Sequence, residues 1–205
     1  MKTLKIGVLG IQGAVSEHVE AVNNTLKTMN LNGSCFIVKN PSQLQEVDAL
    51  IIPGGESTTI GRVAKEKKLL EEIVKKAEGG TPILGTCAGL ILLAKEVYDS
   101  KIGVVEQPLL GLMDIKVVRN AFGRQRESFE VDLNIPVLGA KPFPAVFIRA
   151  PVIEKVWGKT KVLAKYNDKI VAVQEENLLA TAFHPELTED RRLHQYFLRM
   201  ATSKV

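Results

Sequence analysis

At 205 residues, with 45% hydrophobic and 24% charged content, the chain has the make-up of an ordinary globular protein, and a single domain spanning residues 1–205 is the expectation. The net charge of +4, from 27 basic and 23 acidic residues, is small and scattered, and no basic run carries interleaved aromatics, which argues against a nucleic-acid surface. Two cysteines without metal-ligand spacing, no apolar stretch long enough for a bilayer and no signal-peptide pattern lead to the expectation of a cytoplasmic protein with reduced thiols and no metal or cofactor.

The segment Leu4–Leu9 is an apolar run ending at Gly10-Ile11-Gln12-Gly13, and Val15, Val19, Val22, Leu26 and Met29 follow at steps of four and three. This predicts a buried strand, a turn and an amphipathic helix. Cys35-Phe36-Ile37-Val38 and Ala49-Leu50-Ile51-Ile52 are the next strands, the latter stopped by Pro53-Gly54-Gly55. Residues 57–77 read as one helix capped by Ser57, with Glu71/Lys75 and Glu72/Lys76 paired on a solvated face. Ile83-Leu84 is a short strand, and residues 90–97 read as the helix behind it. Strands apolar on both faces and alternating with helices predict an α/β fold with a mostly parallel central sheet flanked by helices. From residue 112 onward the texture is strand-rich, with runs at 113–118, 129–133, 145–148, 162–166, 170–173 and 178–183, so the second half is expected to be partly antiparallel. A last helix is expected to open at Thr188, with Glu189 and Asp190 in its first turn.

Between the fourth strand and its helix lies Gly85-Thr86-Cys87-Ala88-Gly89. A nucleophile framed by glycines at such a junction sits on a sharp turn that lifts it clear of the backbone. A thiolate needs a helix N-terminus or an imidazole to lower its pKa. Of the three histidines, His18 and His194 read as surface or boundary residues of helices, whereas His184 ends a strand. Glu186 lies two positions on, across a proline that stiffens the turn. Cys87 as nucleophile, His184 as base and Glu186 as its orienter make a candidate triad. The backbone amides of Ala88 and Gly55 are candidate oxyanion donors. Cys35 reads as a core packer. The arginines of residues 119–126 read first as a solvated loop, with carboxylate binding by Arg119 or Arg149 as the alternative.

Taken with Gly7-Val8-Leu9-Gly10-Ile11-Gln12-Gly13, Pro53-Gly54-Gly55-Glu56-Ser57-Thr58-Thr59, Arg119-Asn120-Ala121-Phe122-Gly123-Arg124-Gln125, Phe147-Ile148-Arg149-Ala150-Pro151 and Phe183-His184-Pro185-Glu186-Leu187, the elbow resembles the class I, triad-type glutamine amidotransferases. Within them the resemblance is to the glutaminase subunits of pyridoxal 5'-phosphate synthase, over nearly the whole chain. It implies a single glutaminase domain that hydrolyses L-glutamine to glutamate and ammonia through a glutamyl thioester on Cys87. It implies glutamine contacts at Gly55, Glu56, Ser57, Arg119, Ile148 and Arg149, and a partner interface at Gln12. The implied partner is a β/α-barrel synthase that receives the ammonia through a tunnel in a hetero-oligomeric complex and completes the oxyanion hole. Two rivals are an amidotransferase subunit of another pathway and a DJ-1-like cysteine hydrolase or chaperone. In the latter a histidine commonly follows the nucleophile, where this chain has Ala88. Residues 98–108 match no block of the family and receive no role.

Overall fold

The computed structural model describes residues 3–121 and 128–203. In chain order the elements are β1 (Leu4–Leu9), α1 (Val15–Thr28), β2 (Gly33–Val38), α2 (Pro41–Gln45), β3 (Ala49–Ile52), α3 (Ser57–Glu66), α4 (Leu69–Glu78), β4 (Ile83–Thr86), α5 (Ala88–Leu93), β5 (Ala94–Asp99) and β6 (Gly103–Val104). They continue with β7 (Met113–Arg119), β8 (Ser128–Leu133), β9 (Phe143–Ile148), β10 (Val152–Val156), β11 (Lys161–Tyr166), β12 (Lys169–Glu175), β13 (Leu178–Thr181) and α6 (Arg192–Thr202).

The main sheet runs β2-β1-β3-β4-β13-β12-β10-β7-β5-β6, with β11 paired to β12, while β8 and β9 form a separate antiparallel ribbon. From β2 to β13 every pairing is parallel, and from β12 onward the pairings are antiparallel except β5 with β7. This is the α/β arrangement with a strand-rich, partly antiparallel second half that the sequence predicts. Alternate residues of the parallel strands feed two cores. Leu50, Ile52 and Ile83 join Ile60, Leu69 and Ile73 on one side. Ile6, Val8, Ile51 and Leu84 join Val22, Leu26, Phe143 and Phe197 on the other. Strands buried on both faces need this double cover.

Expectations for three of the helical segments need correction. Residues 57–77 are not one helix: the chain breaks at Lys68, which takes a left-handed φ of 56°. The buried positions Ile60 and Ala64 are followed by Leu69, Ile73 and Ala77. A continuous helix would carry Leu69 about 140° away from Ala64, so the break is what returns the apolar face to the core. The cap is Glu56, whose carboxylate accepts from the Thr58 and Thr59 amides at 3.0 and 2.7 Å. Ser57 is buried and donates instead to Gln107 Oε1 at 3.2 Å. On α4, Lys75 pairs with Glu72 at 2.7 Å, and Lys76 donates to the carbonyls of Gln45 and Val47.

The helix behind Cys87 is six residues long, not the longer one expected, because Ala94–Asp99 leaves it as β5 and pairs in parallel with β7. Lys95 and Glu96 are both exposed, at a register shift in the pairing with β7, and beyond it exposed Glu96 and Tyr98 alternate with half-buried Val97 and buried Asp99, the period of two that suits a strand. The last helix begins at Arg192 rather than Thr188. Residues Pro185–Leu187 form a 3₁₀ turn, and Asp190 steadies the start of α6 by accepting from the Arg192 amide at 3.0 Å. Among the described residues no helix is long and apolar enough to cross a membrane.

Candidate active site

The parallel register of β4 and β13 creates the site. Thr86 lies opposite Thr181, and the Cys87 amide donates to the Thr181 carbonyl at 2.8 Å. Cys87 and the Ala182-Phe183-His184 stretch therefore leave the sheet side by side at the same edge, although almost a hundred residues separate them in the chain. His184 is then tied down through its own amide, which donates to the Val146 carbonyl at 2.8 Å.

Cys87 sits at φ 50° and ψ −99°, a sparsely populated conformation for a residue with a side chain. Its two flanking glycines are required by contact. A Cβ on Gly85 would lie 2.6 Å from the Gly89 backbone, and one on Gly89 would lie 2.1 Å from the Ile52 carbonyl oxygen. The thiol is nearly buried, with Sγ 3.9 Å from the Ile148 carbonyl oxygen.

Gln12, Gly55, Glu56, Ser57, Cys87, Arg119, Ile148, Arg149 and His184 line one cavity of about 640 Å³. Glu186 is buried behind His184, and Ala88 is buried beneath the elbow. Every candidate site residue named from the sequence therefore lies in or against this one cavity. Residues 122–127, the second half of the arginine block, lie outside the described residues.

His184 Nδ1 is 2.7 Å from Glu186 Oε1. Burial opposes an imidazolium here, but hydrogen bonding and charge from Cys87 and Glu186 outweigh it and raise His184 to about 10. Burial likewise opposes ionisation of Glu186, yet the hydrogen bond and charge of His184 help hold it below the usual carboxylate range. The arrangement is an acceptor-oriented imidazole next to a thiol, the chemistry of a proton-shuttling base and a sulfur nucleophile. Cys35, by contrast, is pushed up to about 12 by burial and packs against the core. Among the described residues no three His, Cys, Asp or Glu side chains converge as a metal-binding group.

Polar side chains that the sequence motifs leave without a role hold the cavity wall. Arg119 Nη1 donates to Gln107 Oε1 at 2.7 Å and to Thr58 Oγ1 at 3.1 Å, and its guanidinium lies 3.6 Å from Glu56 and 3.7 Å from Asp99. The unassigned segment 98–108 thus supplies two partners of Arg119. Gln12 Oε1 accepts from the amide of the same Glu56 at 3.1 Å, which fastens the loop after β1 to the Gly54-Gly55 turn.

His18 and His194 are not surface or boundary residues. Both are fully buried, His18 against Thr86 and Glu186, and His194 against His18. His18 shares the buried face of α1 with Ala21, Val22, Thr25 and Leu26, and His194 that of α6 with Phe197, Leu198 and Ala201. Their helical spacing from these residues was the available signal.

The chain matches a model of the SNO glutamine amidotransferase family over residues 8–203. It is 52% identical, over 205 aligned residues, to the pyridoxal 5'-phosphate synthase subunit PdxT of Staphylothermus marinus, with 98% of this chain and 100% of that one covered. It is 53% identical over 197 residues to the protein of the same name from Moorella thermoacetica, with 96% and 99% covered. A crystal structure of a glutamine amidotransferase superposes with a TM-score of 0.85 at 47% identity, covering 96% of this chain and 98% of that one. A glutamine amidotransferase of Thermotoga maritima, at 13% identity and a TM-score of 0.63 over 100% and 87% of the two chains, shares the fold.

Proposed function

The chain belongs to the SNO glutamine amidotransferase family, and on that premise we propose that it is the glutaminase subunit of a pyridoxal 5'-phosphate synthase, residues 1–205 forming one glutaminase domain. The observation that carries the reading is the meeting of the strained Cys87 elbow with the Glu186-oriented His184 at one end of the sheet.

In this reading glutamine enters the cavity and Cys87, its proton passed to His184, attacks the side-chain amide carbon. The tetrahedral oxyanion is held by the backbone amides of Ala88 and Gly55. His184 returns the proton to the leaving nitrogen, ammonia departs, and a glutamyl thioester remains on Cys87. A water molecule, deprotonated by His184, then attacks the thioester, releasing glutamate and the thiol. Glu186 keeps its charge throughout, fixing the tautomer of His184 and stabilising its imidazolium. Arg119 and Arg149 contact glutamine together with Gly55, Glu56, Ser57 and Ile148, and the guanidinium fork of an arginine matches a carboxylate.

The ammonia is consumed by a partner synthase of β/α-barrel fold, in a hetero-oligomeric complex located in the cytoplasm. The Gln12 loop forms part of the interface, and its bond to the Glu56 amide gives partner binding a direct mechanical route to the Gly55 oxyanion donor. The test is glutamine hydrolysis by the purified chain with and without its synthase, for wild type, Cys87→Ala and His184→Asn. Hydrolysis is expected to depend on both residues and to rise with the synthase. Activity surviving in Cys87→Ala would sink the mechanism, and turnover indifferent to any pyridoxal 5'-phosphate synthase would sink the assignment to that complex.

A further inference from the structure

Glu186 has two oxygens, and the triad accounts for one. Oε1 receives His184 Nδ1, while Oε2 is buried and makes no well-aligned hydrogen bond to any described residue. The group facing Oε2 is His18 Nε2 at 3.3 Å, and the same nitrogen lies 3.1 Å from the hydroxyl of Thr86, the residue before the nucleophile. Behind it, His18 Nδ1 faces His194 Nε2 at 3.5 Å. Helices α1 and α6 thus send two fully buried imidazoles to the back of the site.

This geometry selects the protonation pattern. A bare Nε2 on His18 would set a lone pair 3.3 Å from a carboxylate oxygen, so electrostatics favour a proton on Nε2, donated to the Thr86 hydroxyl, with Nδ1 accepting from His194 Nε2–H. That leaves His194 Nδ1 as a bare acceptor, and this buried nitrogen has no hydrogen-bond partner among the described residues. Burial lowers the pKa of both rings, and for His194 brings it to about 3. The charged or titratable groups acting on the pair are Glu17 on α1, Glu186 and His184 on the turn after β13, and Arg191 at the start of α6.

We propose that His18 is a positioning residue for the glutaminase reaction, an inference that rests on the function assigned above: its Nε2–H, hydrogen-bonded to the Thr86 hydroxyl at 3.1 Å, keeps a neutral N–H dipole 3.3 Å from the second oxygen of Glu186, so that the carboxylate presents its first oxygen to His184. Neutrality is essential to this role. A charged His18 would form its own ion pair with Glu186 and divide the charge that stabilises the His184 imidazolium. A neutral ring fixes the orientation of the carboxylate and leaves its charge to His184. Contact with Thr86 also ties the carboxylate to the strand end that carries Cys87, so the nucleophile and its base share one anchor.

The tautomer can be read in the unaltered chain from nitrogen–proton correlation spectra of its imidazoles. A proton on His18 Nε2 with a bare Nδ1 is expected, and a proton on Nδ1 instead overturns the proposal. In the complex with the synthase, His18→Leu removes the donor and His18→Gln returns an amide N–H near the position of Nε2. The leucine variant is expected to lose about tenfold in kcat with KM for glutamine within about twofold, and its kcat/KM profile to move by about one pH unit on the basic side as His184 loses support. The glutamine variant is expected to recover most of both. An unchanged pH profile in both variants overturns the proposal. The tautomer readout needs no turnover and no variant, so it separates failure of this inference from failure of the glutaminase reading, which the Cys87→Ala control tests.

Discussion

Burying His194 as a neutral ring has a cost that appears only in acid. Its folded-state pKa is about 3 against an ordinary value of 6.5. The unfolded chain therefore takes up a proton below pH 6.5 that the folded chain refuses, and stability is lost as pH falls through that window. At pH 5 the unfolded ring is almost fully protonated and the folded one is not, which amounts to about 2 kcal/mol. The result is insensitive to the folded value as long as it stays well below 5. His18 shifts in the same direction for the same reason, burial. Urea unfolding of wild type and His194→Gln at pH 7.5 and pH 5 isolates the effect, because the amide keeps a donor toward His18 without titrating. With a slope of about 2 kcal/mol per molar urea, the wild-type midpoint should fall by about 1 M more than that of the variant. The double difference cancels groups common to both proteins, among them Glu56, Asp99 and Asp190, whose depressed carboxyl pKa values matter at lower pH. Equal pH dependence in the two proteins would refute a buried, neutral His194.

Other consequences are as direct. A Cβ at Gly54 would lie 2.4 Å from His184 Cε1 and 3.4 Å from Cys87 Cβ, so Gly54→Ala should displace the imidazole and reduce kcat/KM about 100-fold while urea stability changes little. Gly89→Ala drives a methyl to 2.1 Å from the Ile52 carbonyl oxygen, and the resulting shift of α5 should cost about 3 kcal/mol in urea unfolding. Gln107→Ala removes an acceptor 2.7 Å from the Arg119 guanidinium, and KM for glutamine should rise about tenfold with kcat nearly unchanged. Cys35, with its pKa pushed up to about 12, should resist iodoacetamide in the native protein and react once urea unfolds it, as peptide mass spectrometry would show.

What could be read from the sequence alone was local. Apolar runs two or more residues deep, ended by glycine or proline, located β1, β3 and β4, and their double-sided hydrophobicity implied a sheet covered on both faces. The glycines around Cys87 announced the elbow because a turn so tight leaves no room for a Cβ on either side, a constraint written in residue type. Helix ends were less legible. The break at Lys68 depends on where the core lies relative to Leu69, and the early end of α5 depends on β7 being present for Ala94–Asp99 to pair with. Arg119 was visible as a residue, but its partners Asp99 and Gln107 come from a segment with no motif. The union of Cys87 with His184 was likewise settled in three dimensions, by the parallel register of β4 and β13. The same holds for His18 and His194, whose burial follows from the way α1 and α6 dock on one face of that sheet. A sequence determines which side chains can do chemistry and the turns that present them; which of them share a dielectric, a proton or a carboxylate is decided by packing, because those interactions depend on distances that only the assembled sheet creates.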